Sequence, residues 1–140
     1  MLTKYMLVLA VAAFIKDKDG RLLLVKKSPN EKIDPGLWVV PGGKINPGEK
    51  ILTGLEREVM EEVNLEIIKP RWVNDNVFKS GEFCFHAQHF LTFCPDTTGL
   101  MLEKNLVDYA FVKYEDLGKY SIPAGLRETM EIIFNNQSYA

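Results

Sequence analysis

Long hydrophobic runs are missing from this sequence. The longest, Met6–Ile15, is about ten residues, half of what a helix needs to cross a membrane. Only Lys4 lends it a preceding positive charge and no small-residue cleavage site follows, so it is expected to be a buried strand and not a signal segment. Cysteine is scarce: Cys84 and Cys94 have neither metal-ligand spacing nor the makings of a disulfide framework, and an intracellular, reduced, cytoplasmic protein is expected. An excess of charge is absent too. The net charge is -2 and the pI about 5.7, which argues against a broad grip on a nucleic acid polymer but leaves room for a local basic site for a small anion. Repeats, low-complexity tracts and linkers are lacking, so residues 1–140 are read as one domain with a core of its own.

What is present is a succession of short apolar segments separated by turn residues. Lys4–Ile15 and Arg21–Lys27 flank Asp17-Lys18-Asp19-Gly20 and read as a hairpin. Ser28–Gly36 is a polar loop, and Leu37–Val40 a short strand stopped by Pro41-Gly42-Gly43. Ile51, Leu55, Val59 and Val63 recur every fourth residue and predict an amphipathic helix, ended by Asn64 in a left-handed conformation. Its start is open between an Asn46 cap with Pro47 at the first helical position and a turn that precedes the helix. Leu65–Phe78, Phe83–Cys94 and Leu106–Tyr114 read as strands, and Pro123–Phe134 as a last helix capped by Ser121. Strands flanking two helices predict an α+β fold with a mixed sheet covered on both faces.

The chemistry is concentrated between Gly43 and Leu65. At roughly 100° per residue, Glu58, Glu61 and Glu62 fall within an arc of about 100° beside the apolar stripe. Carboxylates so placed repel one another unless a cation lies among them, and an all-oxygen set suits a hard divalent ion such as Mg²⁺, with Mn²⁺ as substitute. Such ions serve phosphoryl chemistry by neutralising charge, holding the phosphate and activating water. Arg57 has the planar fork to hold a neighbouring carboxylate. Gly42 and Gly43 permit a sharp turn where backbone can approach a phosphate or a carbonyl can join the metal. Gly54, costly inside a helix, is explained if a loop passes close to it. Acidic residues on a helix are more often a solvated face than a site; here the whole string decides.

That string resembles the Nudix box: Gly, five residues, Glu, seven residues, Arg-Glu, an aliphatic, any residue, Glu-Glu, any residue, Gly, an aliphatic. The sequence supplies Gly43, Glu49, Arg57-Glu58, Val59, Glu61-Glu62 and Leu65, and departs only at Asn64, where the family has Gly. The strand Arg21–Lys27, Gly36-Leu37-Trp38 and the late segment Leu106–Leu117 are similar to the family more loosely. The resemblance implies a Nudix-like α/β/α sandwich and a magnesium-dependent pyrophosphohydrolase of nucleoside diphosphate-linked compounds. Within that class the MutT-like reading is a nucleoside triphosphate pyrophosphatase that releases nucleoside monophosphate and pyrophosphate. The alternatives are hydrolysis of ADP-ribose, dinucleoside polyphosphates or nucleotide sugars, and a nucleotide-sensing domain without turnover.

The resemblance also assigns roles. Glu58, Glu61 and Glu62, with the Gly43 carbonyl, are the implied metal ligands; Arg57 orients them and Glu49 supports the junction of loop and helix. Glu103 corresponds to a glutamate outside the box that takes part in water activation, with Asp108 and Asp96 as competitors. Lys27 corresponds to a basic residue that meets phosphate, and Lys26 is expected on the opposite face. Phe83, Phe85, Leu91 and Phe93 are expected in the core by alternation, with His89 on the same face as a satisfied, partly buried residue and His86 at the surface or in a cleft. MutT-like relatives often read the base with an amide near the start of the last helix, and Ile122-Pro123-Ala124-Gly125 supplies none. The partner expected is a small nucleotide, with no nucleic acid polymer and no membrane, and the protein is a monomer or homodimer.

Overall fold

In a computed structural model that describes residues 4–140, the chain forms one mixed sheet with a helix against each face. Strand β1 (Met6–Lys16) runs through its middle and explains the architecture. Successive side chains of a strand point to opposite faces. Val11, Ala13 and Ile15 therefore join Leu23 and Val25 of β2 (Leu22–Lys27) against the stripe Leu55, Val59 and Val63 of helix α1 (Ile51–Val63). Ala12 and Phe14 face the other way, with Leu22 and Leu24, against Met130 and Ile133 of helix α2 (Ala124–Asn135). Each fully buried aliphatic side chain contributes roughly 1.5–3 kcal/mol, so two apolar layers on one strand fix both helices to it.

The sheet order is β3-β2-β1-β6-β5, with β3 at Trp38–Val39, β5 at Ile68–Ser80 and β6 at Phe83–Phe93. Strands β1 and β6 are parallel from Met6 opposite Phe83 to Lys16 opposite Phe93, while β5 returns antiparallel to β6. Strand β7 (Leu106–Val112) pairs antiparallel with β2, and β4 (Gly42–Lys44) with β1. The expected mixed sheet, covered on both faces, is the observed one.

Several expected boundaries move. Pro41-Gly42-Gly43 is expected as a turn, but Gly42–Lys44 is a short strand laid against Ala10–Ala12. A Cβ on Gly42 would strike the Val11 carbonyl oxygen and stand 2.9 Å from the Ala12 Cα, so only glycine allows the approach. Strand β5 starts at Ile68 rather than Leu65, because Leu65 is drawn into the core below α1. Helix α2 begins after Pro123, whose φ of -54° suits a helix entrance, and Ser121 does not cap it; the Ser121 carbonyl accepts a hydrogen bond from the Trp38 N–H at 2.9 Å. Of the aromatics expected in the core, Phe85 is buried, but Phe83 lies at the strand end and is 37% exposed. For α1 the second alternative holds. Asn46–Glu49 is a turn closed by the Glu49 N–H to the Asn46 carbonyl at 3.0 Å, and the helix starts at Ile51. It stops at Asn64 as expected, with φ 57° and ψ 40°.

Gly54 has its explanation. A Cβ there would overlap the Ile45 side chain and lie 2.9 Å from Glu49 Oε1. Gly54→Ala gains roughly 1 kcal/mol of helix propensity but forces the loop away. Overpacking of this kind costs about 1–3 kcal/mol, so we expect a lower melting temperature together with lower activity, because Glu49 is displaced. A melting temperature at or above wild type would show that the loop moves freely.

Candidate active site

Arg57 is the hub of the segment singled out by sequence. Its Nε donates to Glu49 Oε2 at 2.7 Å and its Nη2 to Glu49 Oε1 at 2.9 Å, a bidentate pair. Nη2 also reaches the Lys44 carbonyl at 3.0 Å, while Nη1 donates to Glu58 at 3.0 Å and to Glu61 at 3.2 Å. Glu49 in turn accepts the Asn46 N–H at 3.0 Å, so one guanidinium ties the turn, β4 and α1 together. Arg57 holds the Glu49 carboxyl well below its ordinary range, at about 2, and Glu49 with its neighbours holds the guanidinium more firmly protonated.

The acidic helix residues divide by environment. Glu62 is partly buried, with Oε1 accepting the Gly42 N–H at 2.7 Å. Burial pushes its carboxyl up to about 8, which the Gly42 hydrogen bond opposes. Burial also raises Glu58, against the pull of Arg57. The Glu58 carboxylate lies so close to Gly43 that a Cβ there would strike it. Glu61 is 56% exposed and turned toward Arg57. Among the described residues no three acidic, histidine or cysteine side chains are gathered closely enough to hold an ion as they stand. The donor chemistry nevertheless fits a hard divalent cation. Two partly buried carboxylates, of which only Glu58 has a guanidinium beside it, next to glycine backbone without a Cβ, are what such an ion would relieve.

Beside Glu62 opens a cleft of about 580 Å³, lined by Gly42, Lys27, Glu103, Val40, Asn76, His89 and Leu126 among others. Glu103 is brought to Glu62 by its backbone N–H, which donates to the Glu62 carbonyl at 2.9 Å. Lys27 lies on the same wall, and its charge favours ionised Glu62 while Glu103 opposes it. The structure thus brings Lys27, Gly42, Glu62 and Glu103 together, whereas Glu58, packed on Gly43, and the exposed Glu61 do not line the cleft. The competitors lie elsewhere. Asp108 stands opposite Lys26 on the sheet and accepts the Tyr109 N–H, and Asp96 closes a turn with Thr98. Lys26 lies over the Trp38 ring instead of in the cleft.

Sequence reasoning passed over the loop residues Glu31–Asp34 and Asn76, which also line the cleft. No local pattern marks them; only the fold carries them there. His89, expected to be a satisfied, partly buried residue, is satisfied: its Nδ1 contacts Thr129 Oγ1 at 2.8 Å and Asn74 Oδ1 at 3.1 Å. Burial lowers its pKa from 6.5 to about 4. A depressed histidine pKa favours the folded state above the unfolded value, and that contribution is lost as pH falls from 6.5 toward 4. The loss amounts to as much as about 3 kcal/mol. We expect the melting temperature to fall across that window and His89→Gln to flatten the fall. An unchanged slope in the variant would assign the acid sensitivity to other groups.

A sequence model of the NUDIX domain matches residues 6–132. The chain belongs to the Nudix family. It is 31% identical to a nucleoside triphosphatase NudI of Escherichia coli O17:K52:H18, in a match covering 81% of this chain and 88% of the relative. Among solved structures it is similar to a MutT protein from Methanosarcina mazei Go1, at 29% identity, a TM-score of 0.84 and full coverage of both chains. A MutT Nudix hydrolase from Burkholderia pseudomallei, 20% identical with a TM-score of 0.78 over 90% of this chain and 97% of that one, shares the fold. As a Nudix hydrolase the protein acts on phosphoric anhydride bonds, and the family works with a divalent metal ion. No helix among the described residues is long and apolar enough to cross a membrane.

Proposed function

We propose that this Nudix hydrolase is a nucleoside triphosphate pyrophosphatase that releases a nucleoside monophosphate and pyrophosphate. The observation that carries the reading is the convergence of Glu62, Glu103, Lys27 and the Gly42 backbone at one end of the cleft. The relatives named nucleoside triphosphatase support it. In this reading Glu58, Glu61, Glu62 and the Gly43 carbonyl would hold Mg²⁺, with Mn²⁺ as a substitute. The ion supplies neutralisation of phosphate charge and a more acidic water. Arg57, fixed by Glu49, orients the carboxylates. Lys27 meets phosphate oxygens, where its ammonium serves as a compact point charge. Glu103 accepts the proton of the water whose oxygen adds to phosphorus, and the bond from that phosphorus to the bridging oxygen breaks as the other product leaves with the electron pair. The protein would work in the cytoplasm, as monomer or homodimer.

A product analysis tests this. Purified protein with Mg²⁺ is offered nucleoside triphosphates, ADP-ribose, dinucleoside polyphosphates and nucleotide sugars. Nucleoside monophosphate and pyrophosphate in equal amounts from triphosphates are expected. Cleavage of a diphosphate-linked compound alone would overturn the substrate, and ligand binding with no turnover would favour a sensor.

A further inference from the structure

The lining of the cleft also holds polar groups that the hydrolytic chemistry does not use. Asn76 comes from β5, opposite Ala87 on β6, and its side chain reaches beneath the first turn of α2. A Cβ on Gly125 would lie 2.5 Å from Asn76 Nδ2 and 2.9 Å from its Cγ, so the glycine leaves the space that the amide fills. The last helix itself offers no amide there; one arrives from the neighbouring strand. Among the described residues no side-chain hydrogen bond holds the Asn76 amide, so either of its ends can turn to a ligand.

His89 lies nearby on β6, and its orientation is fixed. Asn74 Oδ1 accepts, and on its 3.1 Å contact with Nδ1 we assign the proton of the neutral ring to Nδ1. The Thr129 hydroxyl has the same Oδ1 at 2.9 Å and the Gly125 carbonyl at 3.2 Å to donate to, and in either case its oxygen accepts from Nδ1. Nε2 is then an unprotonated acceptor, and no protein group among the described residues bonds to it. His89 lines the cleft with only 1% of its surface exposed, and Nε2 is the ring nitrogen that its partners on the Nδ1 side leave for the cleft.

We infer that Asn76 and His89 read the nucleobase of the substrate, His89 Nε2 as a fixed acceptor for a base N–H and Asn76 as an adaptable amide beside it. The inference rests on the proposed nucleotide substrate and adds the residues that determine base preference. Phe78, stacked on Phe85 at 4.9 Å and exposed at the cleft, gives the base a flat wall.

The test compares kcat and KM for each nucleoside triphosphate and for a base-free sugar triphosphate, in wild type, Asn76→Ala and Asn76→Asp. Wild type is expected to prefer certain bases. Asn76→Ala should lower kcat/KM for the preferred triphosphate by roughly 10- to 100-fold, mainly through KM, while the base-free triphosphate is cleaved as before. Asn76→Asp, which can no longer donate, should disfavour bases that present a carbonyl. Equal losses on base-free and base-bearing substrates, or an unchanged order of preference in both variants, would overturn the inference. A wild type that cleaves triphosphates without regard to the base would overturn it too, and leave the proposed function standing. A wild type that cleaves no triphosphate at all would overturn both.

Discussion

Glu62→Gln is expected to lower kcat by about 10³-fold or more while the protein remains folded. The amide oxygen of glutamine can still accept the Gly42 N–H that Glu62 accepts at 2.7 Å, so the loop stays in place. What disappears is the negative charge. Burial opposes ionisation of Glu62, so removing the charge should leave the melting temperature unchanged or raise it. Opposite movement of activity and stability separates a carboxylate kept for chemistry from one kept for structure. Near-normal turnover with Mg²⁺ would remove Glu62 from the mechanism.

Arg57→Lys should cost about 10²-fold in kcat/KM, with a lower melting temperature, although the charge is conserved. A lysine ammonium cannot make the bidentate pair with Glu49 and at the same time reach Glu58 and the Lys44 carbonyl. Freed of Arg57, Glu58 and Glu61 repel each other and the turn before α1 loosens. The loss should be in kcat and in affinity for the metal, both read by titrating Mg²⁺. Because Glu49 stays ionised down to about 2, the wild-type frame should stay assembled through the mildly acidic range. A lysine variant with wild-type Mg²⁺ dependence would show that positive charge alone suffices.

The sequence carried the fold because its signals were local and periodic. The stripe Ile51, Leu55, Val59, Val63 needs only helical geometry to predict a buried face, and Asn64 needs only its tolerance of positive φ to end it. Gly54 announced a close approach without saying to what, and Ile45 with Glu49 are the answer. The spacing of Glu58, Glu61 and Glu62 indicated a shared side but not their unequal burial, which depends on how β4 lies against β1. Asn76 and Gly125 lay beyond reach because they are 49 positions apart and nothing in either neighbourhood points to the other. The same holds for Asn74, His89 and Thr129, which only the β5–β6 register and the packing of α2 bring together. The strand expected to start at Leu65 began later because burial of that side chain outweighed β-propensity.

The carboxylates around Gly42 and Gly43 are the proposed divalent metal site. Titration of the purified protein with Mn²⁺, followed by the electron paramagnetic resonance of the free ion, tests it without any substrate. We expect saturable binding by wild type, at least tenfold weaker binding by Glu62→Gln and by Glu58→Gln, and competition by Mg²⁺. Undiminished Mn²⁺ affinity in both variants would contradict the account.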